Sequence, residues 1–402
     1  MDLNRYLPGT DEADPRLPAA GAIALPWARD EPAGVDAPID PESEIDVAPQ
    51  WKLVWWRFRK SPLAVVGLVM VIAIYLVALF ADFLAPFATG AFSPTHTYAP
   101  PQRLHLFKDG WDLSPHVSGY AVEINQESLR REFTVDPSQQ IDVEFFTTGR
   151  EYKLFGLIPT TRHLIGPADP NAPMFLLGAD QNGRDLFSRL IYGTRISMTI
   201  GLVSVGLSVV LGILFGGLSG YYGGRIDLFI QRVIEFLSAL PAIPLWLGLA
   251  AALPPRWTGL QVYFAITVIL SIIGWTGLAR VVRGRFLSLR EEDFVTAARL
   301  DGISELRVIF RHMLPSFSSH IIATLTLAIP GVIIAETALS FLGLGLRAPI
   351  VSWGVLLESA NNVRAIATAP WLLSPALAVM FAVMGLYFLG DGLRDAADPY
   401  TS

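Results

Sequence analysis

Few side chains in this 402-residue sequence have the type and spacing that chemistry requires. Glu336 stands alone inside an apolar run, Asp391 and Asp395 lie four residues apart near the end of another, and His96, His105 and His116 are scattered through a Pro-rich stretch. The two aspartates read as a helix end rather than a pair of catalytic carboxylates. The histidines are irregularly spaced and lack a neighbouring cluster of ligands, which argues against a metal site. No Gly-x-x-x-x-Gly-Lys-Ser/Thr loop is present to cradle a nucleotide, and neither a Gly-x-Ser-x-Gly elbow nor a His-Glu-x-x-His helix occurs. Without cysteine, neither disulfides nor a Cys-based metal or redox site is available. The expectation is a chain with no catalytic, cofactor or metal site of its own, driven by another subunit or by an ion gradient. Glu336 remains as a candidate for a pathway or gate. An ionisable group inside a span is costly unless it faces the bundle, a partner or water, although a structural hydrogen bond to a neighbouring loop would also hold it. Pro330 is the second candidate, because proline breaks the helical ladder; such a kink shapes a pathway or simply fits the bundle.

The most informative segment runs from Ser288 to Pro315, SLREEDFVTAARLDGISELRVIFRHMLP, between two apolar runs each long enough to cross a bilayer. Ser288 with Glu291 forms a capping-box pattern, and Glu291, Glu292 and Asp293 place negative charge at a helix N-terminus, so a helix is expected to start near Leu289. Gly302 suits the left-handed position that ends it, Ser304 suits the cap of a second helix, and Pro315 suits the opening of the next element. About 12 residues at about 1.5 Å each give a first helix of about 18 Å, short enough to dock in a partner's groove. Within it, Phe294, Thr296, Ala297, Ala298, Leu300, Asp301 and Gly302 are the candidate docking residues. Ala297 and Ala298 are small enough for a partner surface to approach closely.

Six runs of about 18 to 25 apolar residues match the roughly 30 Å of hydrocarbon in a bilayer: Pro62 to Leu84, Ile196 to Tyr221, Phe229 to Leu253, Val262 to Val282, Phe317 to Leu342 and Trp371 to Leu389. With 52% hydrophobic and 16% charged residues and a mean hydropathy of +0.45, the chain has too little polar surface for an ordinary soluble globule. Basic residues collect in alternate loops: Lys52, Arg57, Arg59 and Lys60 before the first span, Arg225 and Arg232 after the second, and a dense set from Arg280 to Arg311 after the fourth. The positive-inside rule then places both termini and the 288–315 segment in the cytoplasm. Residues 1–50 hold eleven Asp or Glu against three Arg, a local balance of −8 within a total of −6, so the remainder carries about +2. Rich in Pro and Ala and lacking periodicity, this stretch reads as a disordered acidic tail and not as a signal peptide. Over residues 51–61, Trp51, Val54, Trp55 and Phe58 recur at helical spacing among basic residues, as in an amphipathic helix lying at the interface or an aromatic belt at the end of the span.

Residues 86–177 form an extracytoplasmic insertion. It begins with Pro94, Pro100, Pro101 and Pro115, and from Ala121 onward alternates apolar and polar residues between turn signals, predicting a small β-containing domain. Its expected role is a docking surface for an extracytoplasmic solute-binding protein or a cap over the mouth of a pathway, and the sequence does not choose between them. Gly212, Gly216, Gly220 and Gly224 recur every four residues, a smooth stripe against which another helix can pack closely in lipid. The domain plan is a tail (1–50), an interfacial helix (51–61), a first span (62–84), the insertion (86–177) and a core with five further spans (178–402).

The 288–315 segment resembles the coupling loop of permease subunits of bacterial ATP-driven (ABC) importers. Thr296, Ala297, Ala298, Gly302, His312, Leu314 and Pro315 fall on the family spacing, with Thr296 where the family often has Glu and His312 where it often has Ile. Leu177-Gly178-Ala179-Asp180-Gln181-Asn182-Gly183-Arg184-Asp185, Gly220-Tyr221-Tyr222-Gly223-Gly224, the run from Glu336 to Gly345, Ser352-Trp353-Gly354 and Leu389 to Asp395 are similar to motifs of the second membrane subunit of dipeptide, oligopeptide and nickel importers. The resemblance covers about Trp51 to the C-terminus, apart from much of the insertion. It implies an all-α integral membrane protein with the six-helix type I importer permease fold plus the β-containing insertion, in a bacterial inner membrane. It further implies a related permease subunit as partner, two cytoplasmic ATPase subunits that carry ATP and Mg, and a periplasmic solute-binding protein. The expected solutes are peptides, with nickel complexes or other small solutes as the alternative; no nucleic-acid partner is expected. A self-contained secondary transporter, or a membrane anchor whose insertion does the binding, would have to leave the coupling segment unexplained.

Overall fold

The computed structural model describes residues 50–108, 112–124, 126 and 131–397, so the acidic tail read over residues 1–50 lies, but for Gln50, outside the described residues. Helix α1, Gln50–Lys60, is amphipathic, and its Phe58 is buried against Ala64 and Ala396 while Trp55 stays exposed, stacked on Phe58 at 5.8 Å. Ser61 then caps α2, Pro62–Leu79, by accepting from the Ala64 N–H, with Pro62 in the first turn where its missing donor costs nothing. A short turn of helix, α3 (Ala81–Leu84), leads out of the membrane.

The insertion is richer in strands than the alternation from Ala121 onward indicates. Strands β1 (Leu104–Lys108), β2 (Asp112–Ile124), β3 (Arg131–Phe145) and β6 (Ile165–Pro167) form an antiparallel sheet in the order β1-β2-β3-β6. Strands β4 (Thr148–Leu154) and β5 (Ile158–Arg162) make a separate hairpin. The early strands escape a period-two reading because Pro115 sits inside β2 and the β1–β2 register shifts after His105. His105 and His116 are paired across β1 and β2 with rings 5.3 Å apart, whereas His96 bonds Ser93 and Thr95 elsewhere. Among the described residues, no group of three or more His, Cys, Asp or Glu could hold a metal ion.

The membrane part continues with α4 (Leu186–Tyr222), α5 (Gly224–Ala239), α6 (Ala242–Ala251), α7 (Gly259–Leu289), α8 (Asp293–Leu300), α9 (Glu305–Val308), α10 (Ser318–Phe341), α11 (Trp353–Glu358), α12 (Val363–Thr368) and α13 (Ser374–Ala397). Among the described residues, five helical stretches are long and apolar enough to cross a bilayer: α2, α4, α7, most of α10, and Pro370–Ala397. The run expected as one span over Phe229–Leu253 is instead α5 and α6, bent by 86°. Leu240 is extended (φ −82°, ψ 132°) ahead of Pro241, as the proline ring imposes on the residue before it, and the ladder cannot pass through.

The glycine stripe is an intrachain seam between α4 and α7. A Cβ at Gly216 would meet the Ala279 carbonyl oxygen at 2.5 Å, and one at Gly220 would meet the Phe286 Cβ at 2.6 Å, while Gly224 lies beyond the seam with open space around it. Higher up, the Ser271 hydroxyl donates to the Ser204 carbonyl at 2.9 Å, a polar bond across two helices that have no hydrophobic drive to associate in lipid. A second core, including Val71, Ile74, Met198, Ile333, Trp353 and Leu386, joins α2, α4, α10, α11 and α13.

Candidate functional site

The segment between α7 and α10 does not begin as its capping-box pattern predicts. Ser288 and Leu289 complete α7, Arg290 N–H still bonds the Phe286 carbonyl at 3.0 Å, and the next helix starts only at Asp293. Packing overrides the local signal, because Phe286 is fully buried in the cluster that holds the end of α7. Helix α8 is therefore about 12 Å long rather than about 18 Å. Its end does follow from the sequence. Gly302 has φ +71°, its N–H bonds the Arg299 carbonyl, and Ile303 N–H bonds the Ala298 carbonyl, the paired 5→2 and 6→1 bonds of a Schellman motif. Ser304 stands at the start of α9 without a side-chain cap bond, and Pro315 opens the short 3-10 turn Leu314–Phe317 that leads into α10.

This segment has two faces. Val295, Ala298, Val308, Ile309 and Met313 are buried with Tyr221, Leu278, Val282 and Phe286. On the other side Phe294 (42% exposed), Leu300 (84%), Leu306 (62%) and Phe310 (54%) present apolar surface, with Thr296, Ala297 and Asp301 exposed beside them. Of the two alanines expected to meet a partner, only Ala297 is available, since Ala298 packs inward. The Arg299 guanidinium lies 4.8 Å from the Tyr221 ring centroid, and the Tyr222 hydroxyl donates to Glu305 at 2.7 Å, so α8 and α9 are tied to the end of α4. Beneath them Arg283 reaches Asp227 through two bonds of 2.5 and 2.6 Å, Asp227 also accepts from Ser219, and Arg280 donates to Ser238. Arg280 and Arg283, in sequence only part of the basic set that fixes topology, thus join α7 to α5. Asp227 was legible only as an acid one turn after a Gly-Gly corner.

Glu336 has no accessible surface. Ser340 and Ser352 each donate to one carboxylate oxygen at 2.8 Å, and Ser197 donates to the other at 3.5 Å. Each hydroxyl in turn accepts a backbone N–H: Leu346 at Ser340, Val355 at Ser352 and Trp353 at Ser197. The carboxylate is therefore the hub of a buried knot joining α10, α4 and the start of α11, and it does not line a pathway as the candidate reading allowed, because no face of it is open. Pro330, six residues earlier on α10, is also buried and does not join the knot; lacking an N–H, it leaves the Thr326 carbonyl without its helical partner. Ser340 and Ser352 fall in the family-like runs, but nothing in the sequence joined them to Glu336 as one network, and Ser197 was not singled out.

At the outer end of α4, the Leu177–Asp185 run is structural as well. Buried Asp180 accepts from the Asn182 and Arg184 backbones and pairs with the Arg184 and Arg189 side chains. Asp185 caps α4 by accepting from the Ser188 N–H at 2.8 Å and its hydroxyl at 2.6 Å, and burial pushes its carboxyl up to about 6. Beside this knot opens a polar cavity of about 910 Å³, whose lining includes Arg184, Glu358, Asn361, Asn362 and Arg364.

A family model described as the inner membrane component of binding-protein-dependent transport systems matches residues 208–402, and one described as the N-terminal TM domain of oligopeptide transport permease C matches residues 49–101. The oligopeptide transport system permease protein OppC of Bacillus subtilis (strain 168) is 36% identical over 241 residues, 60% of this chain and 76% of that one. The dipeptide transport system permease protein DppC of the same organism is 39% identical over 224 residues, 55% and 68% of the two chains. Another dipeptide permease protein, from Alkalihalophilus pseudofirmus, aligns over 360 residues at 29% identity, covering 89% of this chain and 93% of its own. Among solved structures, the inward-facing MetNI methionine ABC transporter overlaps 52% of this chain and 97% of its own at a TM-score of 0.41 and 16% identity, too loose a match to carry mechanistic detail. With apolar helices of spanning length, an interhelical seam of glycines and a two-faced segment between α7 and α10, the chain belongs to the family of ABC importer permeases, the inner membrane components of binding-protein-dependent transport systems.

Proposed function

We propose that this chain forms half of the translocation pore of a peptide importer and is seated on cytoplasmic ATPase subunits through Asp293–Gly302 and the neighbouring Leu306 and Phe310. The observation that carries this is the division of the segment into a buried face, locked to α4 and α7, and an apolar face left exposed among the described residues. Peptides are the favoured solute because relatives at 36% and 39% identity are named for oligopeptide and dipeptide transport. On this reading, a second permease completes the pore and a solute-binding protein delivers from the side of the insertion, where the polar cavity beside Asp180 opens. Both termini are cytoplasmic. ATP and Mg belong to the ATPase subunits, and this chain carries out no reaction itself. When the ATPases close on nucleotide, α8 moves with them, and the Arg299–Tyr221, Tyr222–Glu305 and Arg283–Asp227 ties hand that movement to α4, α5 and α7.

The test is co-purification of the chain with a co-expressed partner permease and the ATPases, comparing wild type with Gly302→Asp. Asp at φ +71° strains the Schellman corner and adds charge beside the exposed face. Loss of the ATPases with the permease pair intact supports the reading. Wild type that purifies free of ATPase, with uptake following an ion gradient, would refute it.

A further inference from the structure

Hairpin β4–β5 closes through Phe155 and Gly156, both in the left-handed region (φ +54° and +73°), with Leu157 N–H bonded to the Leu154 carbonyl at 3.1 Å. The register pairs Leu154 with Ile158, so the loop is the three residues Phe155 to Leu157, and a bulky aromatic is poorly suited to a position with positive φ. A second phenylalanine in the same strained region, Phe146 (φ +57°), lies just before β4. Both rings reach the foot of the first span. Phe155 meets Phe80 edge-on at 5.5 Å, and Phe146 meets Phe83 at 6.1 Å. The Leu164 N–H bonds the Phe83 carbonyl at 2.8 Å and fixes the strand region to that turn. Phe80 is the residue that follows α2, a helix long and apolar enough to cross the bilayer, whose Leu63, Val69, Ile72, Leu76 and Leu79 are exposed.

The exposed tip therefore continues the lipid-facing surface of α2. Leu157 is 82% exposed and Ile158 58%, an apolar point at the end of the hairpin. Exposed Lys153 and Arg162 flank it, as basic side chains do at the level of lipid headgroups. We infer that the tip Phe155–Ile158, with Phe146, is immersed in the outer leaflet of the membrane beside the first span, so that the insertion is held at its base by lipid as well as by chain. This explains why phenylalanines occupy two strained positions where polar residues would relieve the backbone, and why their rings sit at the end of a span.

Because the sequence has no cysteine, the test is direct. The full chain carrying Leu157→Cys, labelled with a nitroxide, is placed in phospholipid nanodiscs and its collision rates with oxygen and with a water-soluble nickel chelate are compared with those of a Ser138→Cys label on β3. Immersion predicts a ratio of oxygen to nickel accessibility severalfold higher at 157 than at 138. Equal ratios overturn the inference. So does a label at 157 that is open to nickel in the bilayer and becomes shielded only when the extracytoplasmic binding protein or the partner permease is added, which would assign the tip to that protein. Phe155→Asn, added to the labelled chain, suits the turn and is expected to move the label towards water without lowering the melting temperature. A lower melting temperature with the label unmoved would make Phe155 a packing residue and not an anchor.

Discussion

The Ser352 hydroxyl donates to the Glu336 carboxylate at 2.8 Å while accepting the Val355 N–H, so one side chain both caps α11 and ties it to the middle of the bundle. With Ser340 and Ser197 doing the same for Leu346 and Trp353, three backbone donors reach one carboxylate through three hydroxyls. A buried carboxyl group is tolerable when it is this well supplied with hydrogen-bond donors.

Glu336→Ala leaves three hydroxyls facing a void, and each loses its acceptor. The expected cost is about 2 to 4 kcal/mol, read as a fall of several degrees in the melting temperature of the detergent-solubilised chain. Glu336→Gln keeps an acceptor oxygen and the volume, and should recover more than half of that loss. A Gln variant no more stable than Ala would show that the knot needs both carboxyl oxygens as acceptors.

Leu300 is the more exposed of the two large apolar residues on the outer face of α8, so its replacement tests the docking face without touching the fold. Leu300→Glu should change the stability of the isolated chain by no more than about 0.5 kcal/mol, the usual range for surface sites. It should nevertheless abolish co-purification of the ATPases, because it places a charge at the centre of an apolar contact. Retained ATPase in the variant would move the contact away from α8.

Gly216 and Gly206 lie on the same helix and make opposite predictions. A methyl at Gly216 would collide with the Ala279 backbone, so Gly216→Ala should destabilise by about 1 to 3 kcal/mol and weaken the α4–α7 seam. A methyl at Gly206 meets nothing within 4 Å, and Gly206→Ala should be neutral or stabilising by up to about 1 kcal/mol, since alanine is the better helix former. Thermal unfolding of the two single variants decides it; equal effects would remove close packing as the reason for the stripe.

Legibility in the sequence followed the range of the interaction. The long spans come from local apolar runs, and the Gly302 corner comes from one residue's backbone freedom, so both were readable. Ser288 misled because its capping box is a local preference that burial of Phe286 overrides. Pro241 breaks the ladder through its own ring, but the size of the bend depends on how α5 and α6 pack after the break. Ala297 and Ala298 look alike in the sequence; only the cluster around Val295 and Val308 decides which one faces out. The Glu336 knot and the Asp227–Arg283 pair join residues 139 and 56 positions apart, and no periodicity encodes such separations.

Asp185 gives the pH dependence its sign. Burial raises its carboxyl to about 6 from an ordinary 3.8, so between those values the folded chain holds a proton that the unfolded chain has released. Stability from this group is therefore complete below about pH 3.8 and is lost as pH rises through about 6, a loss of roughly 3 kcal/mol at 1.36 kcal/mol per unit. Asp185→Asn keeps an oxygen to cap α4 and has no proton to lose. Melting temperatures of wild type and Asp185→Asn, followed from pH 4 to pH 8, should thus diverge as pH rises, with the Asn variant gaining on wild type until the gap levels off above about pH 7. A gap that stays constant over this range would mean that the carboxylate is charged throughout, and that its bonds to Ser188 and the Phe187 N–H offset the cost of burial.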